Sequence, residues 1–241
     1  MRYLAIGDTK TVKGQKKGYL TGVMYLAPAN EARAAGHDVK NACPFASKEC
    51  ARLCLFTAGR GAFDSVRDAR IKKSVELMAG RLYTQAPAAD RMEVLAADIA
   101  FIVRKAAREG LNPAIRLNGT SDYPVHTWGL MERFPDVQFY DYTKDAARMS
   151  DYLNGALPKN YHLTFSRSED NDLDARIFLD AGALVAFVFD TVPKTYLGRR
   201  VKNGDESDLT FTRGAGILGL KAKGKARKAA PGFVIQTRKA A

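Results

Sequence analysis

Long hydrophobic runs are missing from this 241-residue sequence. A bilayer-crossing helix takes ~20 consecutive apolar residues, and no run comes near that length, so no membrane partner is expected. The opening stretch, MRYLAIGDTKTVKGQKKG, lacks the sustained apolar segment of a secretion signal. The expected setting is a reducing cytoplasm, where clustered cysteines hold metal more often than they pair as disulfides. No nucleotide-binding glycine loop is expected, and neither an H-E-x-x-H motif nor a persuasive Ser/His/Asp order occurs. The three histidines, His37, His126 and His162, are scattered, and His162 falls inside a strand pattern. With no repeat and no long linker, residues 1–241 read as one domain.

Cysteine is scarce, and its placement is the most specific feature present. All three thiols lie in NACPFASKECARLC, residues 41–54, as Cys43, Cys50 and Cys54. An odd number argues against a closed set of disulfides. Thiolates bind soft or borderline metals, and three of them leave a fourth position unfilled. Three readings stand side by side. The first is a [4Fe–4S] cluster with one iron open to a ligand. The second is a structural zinc with His37 as the nearest further donor, although Cys-x6-Cys-x3-Cys is not one of the paired short spacings usual there. The third is packing of the thiols as small hydrophobes. Pro44, Gly59 and Gly61 flank the group and favour an irregular loop whose amides point at sulfur.

Acid is absent from the C-terminal end. From Lys221 onward the charged residues are Lys221, Lys223, Lys225, Arg227, Lys228, Arg238 and Lys239, and a second basic stretch holds Lys10, Lys13, Lys16 and Lys17. The net charge is +12. Such runs bind phosphates by counterion release, which makes nucleic acid a candidate partner through a basic tail at about 225–241. The plainer reading is a solvated tail that aids solubility. Lysines in GLKAKGKA, directly after an apolar run, are also placed to line a pocket for an anionic ligand.

Strand and helix patterns alternate. Strands are predicted over 18–29, 114–119, 137–143, 161–166, 184–190, 216–224 and 232–237. Helices are predicted over 64–84 (N-capped by Asp64 or Ser65), 90–110, 125–134, 145–153 and 172–182. Buried, apolar strands alternating with helices imply a parallel sheet covered by helices. The fold class is therefore α/β. Its expected form is a TIM-like partial (β/α) barrel with a cysteine-rich metal loop after the first strand, and a doubly wound sheet is the alternative. In such folds ligands sit at the carboxyl ends of the strands. Those ends read RLNGTSD, YDYTK, TFSRSEDN, then Asp190 and Thr191, then Lys221 and Lys223. The candidate ligand-binding residues are Asn118, Ser121 and Asp122, and the candidate catalytic residues are Asp122, Asp141, Lys144 and Lys221. Asp122 is also the best protein candidate for the fourth metal position, unless it simply caps a helix.

The segments GYLTGVMYLAPA, NACPFASKECARLCLFTAGRG, RLNGTSD, FYDYTK, YHLTFSRSE and GLKAKGKA together resemble the bacteriophage gene product 88 family, from about Thr9 to Phe233. That resemblance implies a phage protein made in the bacterial host's cytoplasm and carries over no settled activity. A more distant resemblance is to radical S-adenosylmethionine enzymes. These have a partial barrel, with three cysteines after the first strand holding a [4Fe–4S] cluster whose open iron binds the cofactor. The chain departs from them in its thiol spacing, in NGTSD where they carry a glycine-rich segment, and in Leu53 before the last cysteine.

Overall fold

The computed structural model describes residues 2–7, 9–54, 56, 59–229 and 232–237. Nine strands build one sheet: β1 (Leu4–Ala5), β2 (Tyr19–Met24), β3 (Asn112–Arg116), β4 (Gln138–Thr143), β5 (Tyr161–Ser166), β6 (Leu184–Phe189), β7 (Thr195–Tyr196), β8 (Arg199–Asn203) and β9 (Gly216–Lys221). Their order is β1-β2-β3-β4-β5-β6-β9-β8-β7. Pairing is parallel except for β1 on β2 and β7 on β8. From β2 to β6 the strands neighbour one another in chain order, without the reversal that marks a doubly wound sheet. The sheet is mixed α/β and mostly parallel, as expected. It is not closed among the described residues, since β1 and β7 remain its ends.

The helices are α1 (Thr9–Gln15), α2 (Glu31–Ala34), α3 (Lys48–Arg52), α4 (Asp64–Met78), α5 (Ala89–Arg108), α6 (Leu130–Arg133), α7 (Ala146–Leu153) and α8 (Asp172–Asp180). The apolar stripe of α5, with Leu95, Ile99 and Ile102 buried, lies on β2 and β3; α7 packs on β4 and β5, and α8 on β5 and β6. Alternate strand residues such as Ile115, Phe139, Leu163, Phe165, Val185 and Phe187 complete this core. Asp98 is buried within α5 because its carboxylate accepts the amides of Tyr3 (2.6 Å) and Leu4 (3.2 Å), which ties β1 to the helix.

The other face of the sheet carries the opposite alternation. There the segment after β8 crosses back over β3 and β4. Arg116 donates to both Asp208 oxygens at 3.0 and 2.8 Å. The Phe211 ring sits against Tyr19 (centroids 5.0 Å apart) and Tyr140 (5.3 Å). These contacts join the first third of the sheet to the last.

Several boundaries differ from expectation. The helix expected at 125–134 is a 3-10 turn followed by α6, separated by Gly129 at φ +72°, a left-handed conformation that glycine adopts without strain. At the start of α4 Phe63 occupies the cap position, without a side-chain cap bond. The 232–237 segment is no strand; Ile235 bridges to Phe189. Short β1, α1, α2 and α3 and the β7–β8 hairpin were not predicted. Gly214, Gly216 and Gly219 stand in G-x-G-x-x-G spacing, contrary to the expectation of no such glycine loop. They run into β9 rather than opening a helix after a strand, which is the context that fingerprint needs. Part of the expected tail packs: Ala226 and Val234 are buried against Leu53. Arg238 and Lys239 lie outside the described residues.

Candidate functional site

The chain leaving β2 makes a left-handed turn at Ala29 (φ +47°), which is costly for a residue with a Cβ. Two contacts exploit that turn. The Ala42 amide donates to the Ala29 carbonyl at 3.1 Å, and the Ala29 amide lies beside the Cys43 sulfur, where it favours the thiolate. The Cys43 amide is held by Asn41 Oδ1 at 2.8 Å, and its thiol faces the Thr120 carbonyl at 3.8 Å. Cys50 lies on α3, where Ser47 caps the helix by accepting the Cys50 amide at 3.1 Å. The Glu49 amide donates to Glu169 Oε1 at 2.9 Å, tying α3 to the loop after β5. Leu53 packs under Ala222 beyond β9. The thiol segment is thus pinned to loops after β2, β3, β5 and β9.

The Phe56 amide lies beside the Cys54 sulfur and favours its thiolate. Burial pushes the Cys43 thiol up to about 12, opposed by the Ala29 amide and reinforced by Asp122, Cys54 and Cys50. Burial also raises Cys54, which Lys144 and Arg70 pull back down. The three thiols therefore share one electrostatic neighbourhood. None is in a disulfide. Among the described residues no three His, Cys, Asp or Glu side chains stand in the arrangement of a metal site. His37 is exposed.

The rim residues form a wired network. Asn118 accepts from Ser121 Oγ (2.7 Å) and the Tyr123 amide (2.9 Å), while its own amide donates to Asp141 at 2.8 Å. A Cβ on neighbouring Gly119 would stand 2.7 Å from the Met24 carbonyl, so only glycine lets the NGTSD loop lie this close to the end of β2. Asp122 pairs with Arg148 Nη2 at 2.9 Å and accepts the Lys144 amide at 2.8 Å. Lys144 Nζ reaches Ser166 Oγ at 2.8 Å. Lys221 is exposed at the end of β9, and its amide donates to Asp205 at 3.0 Å. Asp205 also takes Lys223, while its carbonyl accepts Lys13 at 3.0 Å, so the two basic stretches meet there.

Asp141 points into the helix-covered core, where the Tyr161 hydroxyl also donates to it at 3.2 Å. Burial pushes its carboxyl up to about 7, against the pull of Arg116, the Asn118 amide, Arg148 and Tyr161. Unfolded, an aspartate titrates at about 3.9, so between these values the folded chain binds the additional proton. Asp141 therefore favours the fold at low pH, and that contribution is lost as the pH rises towards 7. Asp141→Asn removes the dependence. The melting-temperature advantage of the wild type over this variant is expected to be larger at about pH 5 than at about pH 8; an equal difference at both would contradict it.

Three contributors escaped the sequence reading: the strained Ala29, Phe56, and Arg70 on α4. Pro28 before Ala29 signals a turn but not its hand. Arg70 has no signature that separates it from Arg67, one turn earlier.

A mostly parallel α/β sheet with a polar rim at its carboxyl ends defines the class of protein. The chain belongs to the gene product 88 family: the sequence model described as Gene product 88 matches residues 3–237. No curated protein and no solved structure matches it. The radical S-adenosylmethionine resemblance gains nothing from these comparisons. No described helix is long and apolar enough to cross a membrane.

Proposed function

We propose that this is an iron–sulfur protein of the host cytoplasm, in which Cys43, Cys50 and Cys54 hold a [4Fe–4S] cluster beside a polar mouth. The observation that carries the reading is that Cys43, Cys50 and Cys54 lie in one electrostatic neighbourhood, with the backbone amides of Ala29 and Phe56 beside two of the three sulfurs and favouring their thiolates. Amides donating to sulfur stabilise the thiolate, which is the metal-binding form, and tune clusters. A residue under backbone strain supplies one of them, a cost that a merely packed thiol does not call for. Two nearby cations, Arg70 and Lys144, offset the negative charge of a thiolate-bound centre. A cluster there supplies Lewis-acid or one-electron chemistry at its open iron.

The chain's own residues do the rest. We read the curled sheet as a partial barrel, so that its carboxyl ends converge on the thiols. Asp122 fixes the backbone of Lys144 and holds the NGTSD loop through Arg148. Asn118 and Ser121 shape the mouth, while Asp141 braces Asn118 from beneath. Lys144 and Lys221 supply positive charge for a small anionic ligand. S-adenosylmethionine, which the distant resemblance implies, is one molecule with a suitable carboxylate. A second reading, nucleic-acid binding, draws on the meeting of the two basic stretches at Asp205.

Colour tests the main reading. Protein purified without oxygen is expected to be brown, with a broad band at ~400 nm that chelation under oxidising conditions removes. A colourless, zinc-loaded protein would defeat the proposal, because the filled d shell of zinc gives no such band.

A further inference from the structure

Arg70 is a cation at the mouth whose guanidinium is half-buried and, among the described residues, has no carboxylate partner. It lies on α4, with the Tyr25 and Phe56 rings 5.2 and 5.3 Å from its central carbon. Its Nε and Nη1 are buried and meet no acceptor among the described residues. The acidic groups acting on it are Tyr25 and Cys54, with no described Asp or Glu among them. Burial lowers its pKa, as expected for a cation short of partners. Guanidinium donors left empty in a buried place are expensive, and an arginine stays charged. Such a group is retained where something else supplies the acceptor.

Lys144 lies close by: both cations act on the same Cys54 thiol. Its ammonium meets only a hydroxyl, Ser166 Oγ, and no described carboxylate pairs with it. The backbone of Lys144 is fixed by Asp122, so its side chain starts from a set position. Two cations without carboxylate partners, one held between aromatic rings and one at a strand end, thus flank Cys54. Arg67, on the same helix, makes the contrast: it is exposed and paired with Glu31 at 3.1 Å.

We infer that Arg70 and Lys144 form an oxyanion site beside Cys54, which takes the carboxylate or phosphate group of a small molecule. The inference rests on the proposed function for its place next to the cluster, but the site itself consists of protein cations and is testable without metal. Charge-assisted hydrogen bonds to an oxyanion satisfy the empty donors of Arg70, and the aromatic faces of Tyr25 and Phe56 keep the guanidinium aimed while excluding water. The ligand is thereby held with its anionic end at the thiols and the rest in the mouth lined by Asn118 and Ser121.

The test is titration calorimetry of the full chain, metal-loaded and after chelation, with inorganic phosphate and with malonate. It is run at about 0.15 M salt, so that diffuse surface charge is screened. Iron is measured on every sample. Saturable binding of at least one probe is expected, weakened about tenfold or more by Arg70→Gln and by Lys144→Gln and unchanged in Arg67→Gln. Persistence of this pattern in chelated protein, or in protein that never held iron, would establish the oxyanion site even with the cluster reading lost. Absence of binding in the wild type, or equal binding in Arg70→Gln, overturns the inference. So does an Arg70→Gln protein that loses iron while binding anions normally, since the guanidinium would then serve the thiols alone. Should Arg70→Gln fail to fold, Lys144→Gln and Arg70→Lys carry the comparison, with loss in the first and partial retention in the second expected.

Discussion

Replacing Asp122 by alanine is expected to destabilise the fold by about 3–5 kcal/mol, the cost of stranding a buried charge. The Arg148 side chain is 1% exposed, and its closest carboxylate contact is Asp122 at 2.9 Å, against 3.6 Å to Asp145. Arg148 also donates to the Tyr123 carbonyl at 3.0 Å, which no water replaces cheaply. Removing Asp122 leaves this guanidinium in place, half-paired, and frees the Lys144 amide. Asp122→Asn keeps an acceptor for that amide and removes only the charge, so a smaller loss is expected. Denaturant unfolding of the three proteins measures the difference, and a cost below about 1 kcal/mol for the alanine variant would place the pair among weak surface contacts instead. The same variant is expected to hold iron poorly. The NGTSD loop that Asp122 anchors presents the Thr120 carbonyl to the Cys43 thiol.

The second large effect is chemical. Cys50→Ala is expected to leave less than about a tenth of the wild-type iron per chain, because two thiolates grip a cluster poorly. Its effect on folding should be small by comparison. Cys50 is half-buried, and its contribution to α3 is an amide that alanine also supplies to Ser47. Iron content and melting temperature, measured on the same anaerobic sample, separate the two effects. Unchanged iron would remove Cys50 from the site.

The parts legible in the sequence are those governed by local patterning. β5 runs from Tyr161 to Ser166, as its alternation of apolar residues and the polar cluster after it indicate. The α7 N-terminus falls at Asp145, whose carboxylate accepts the Arg148 amide at 3.2 Å. The polar strand ends were legible for the same reason: each strand runs from apolar into polar residues. Long-range pairing was not legible. Nothing local links Asp122 to Arg148, 26 residues later, or Arg116 to Asp208, 92 residues later. The hairpin of β7 and β8 is rich in charge and lies at the sheet's edge, where burial imposes no alternation. α1, read as a basic stretch, lacks an apolar stripe, and Lys13 is fixed by the Asp205 carbonyl rather than by local propensity.

The central claim is that Cys43, Cys50 and Cys54 grip one inorganic centre. Iron and acid-labile sulfide analysis of the anaerobically purified full chain tests it most directly, backed by electron paramagnetic resonance of the reduced protein. The account predicts about four iron and four sulfide per chain with a cluster signal on reduction. Metal-free protein, or zinc without sulfide, would contradict it.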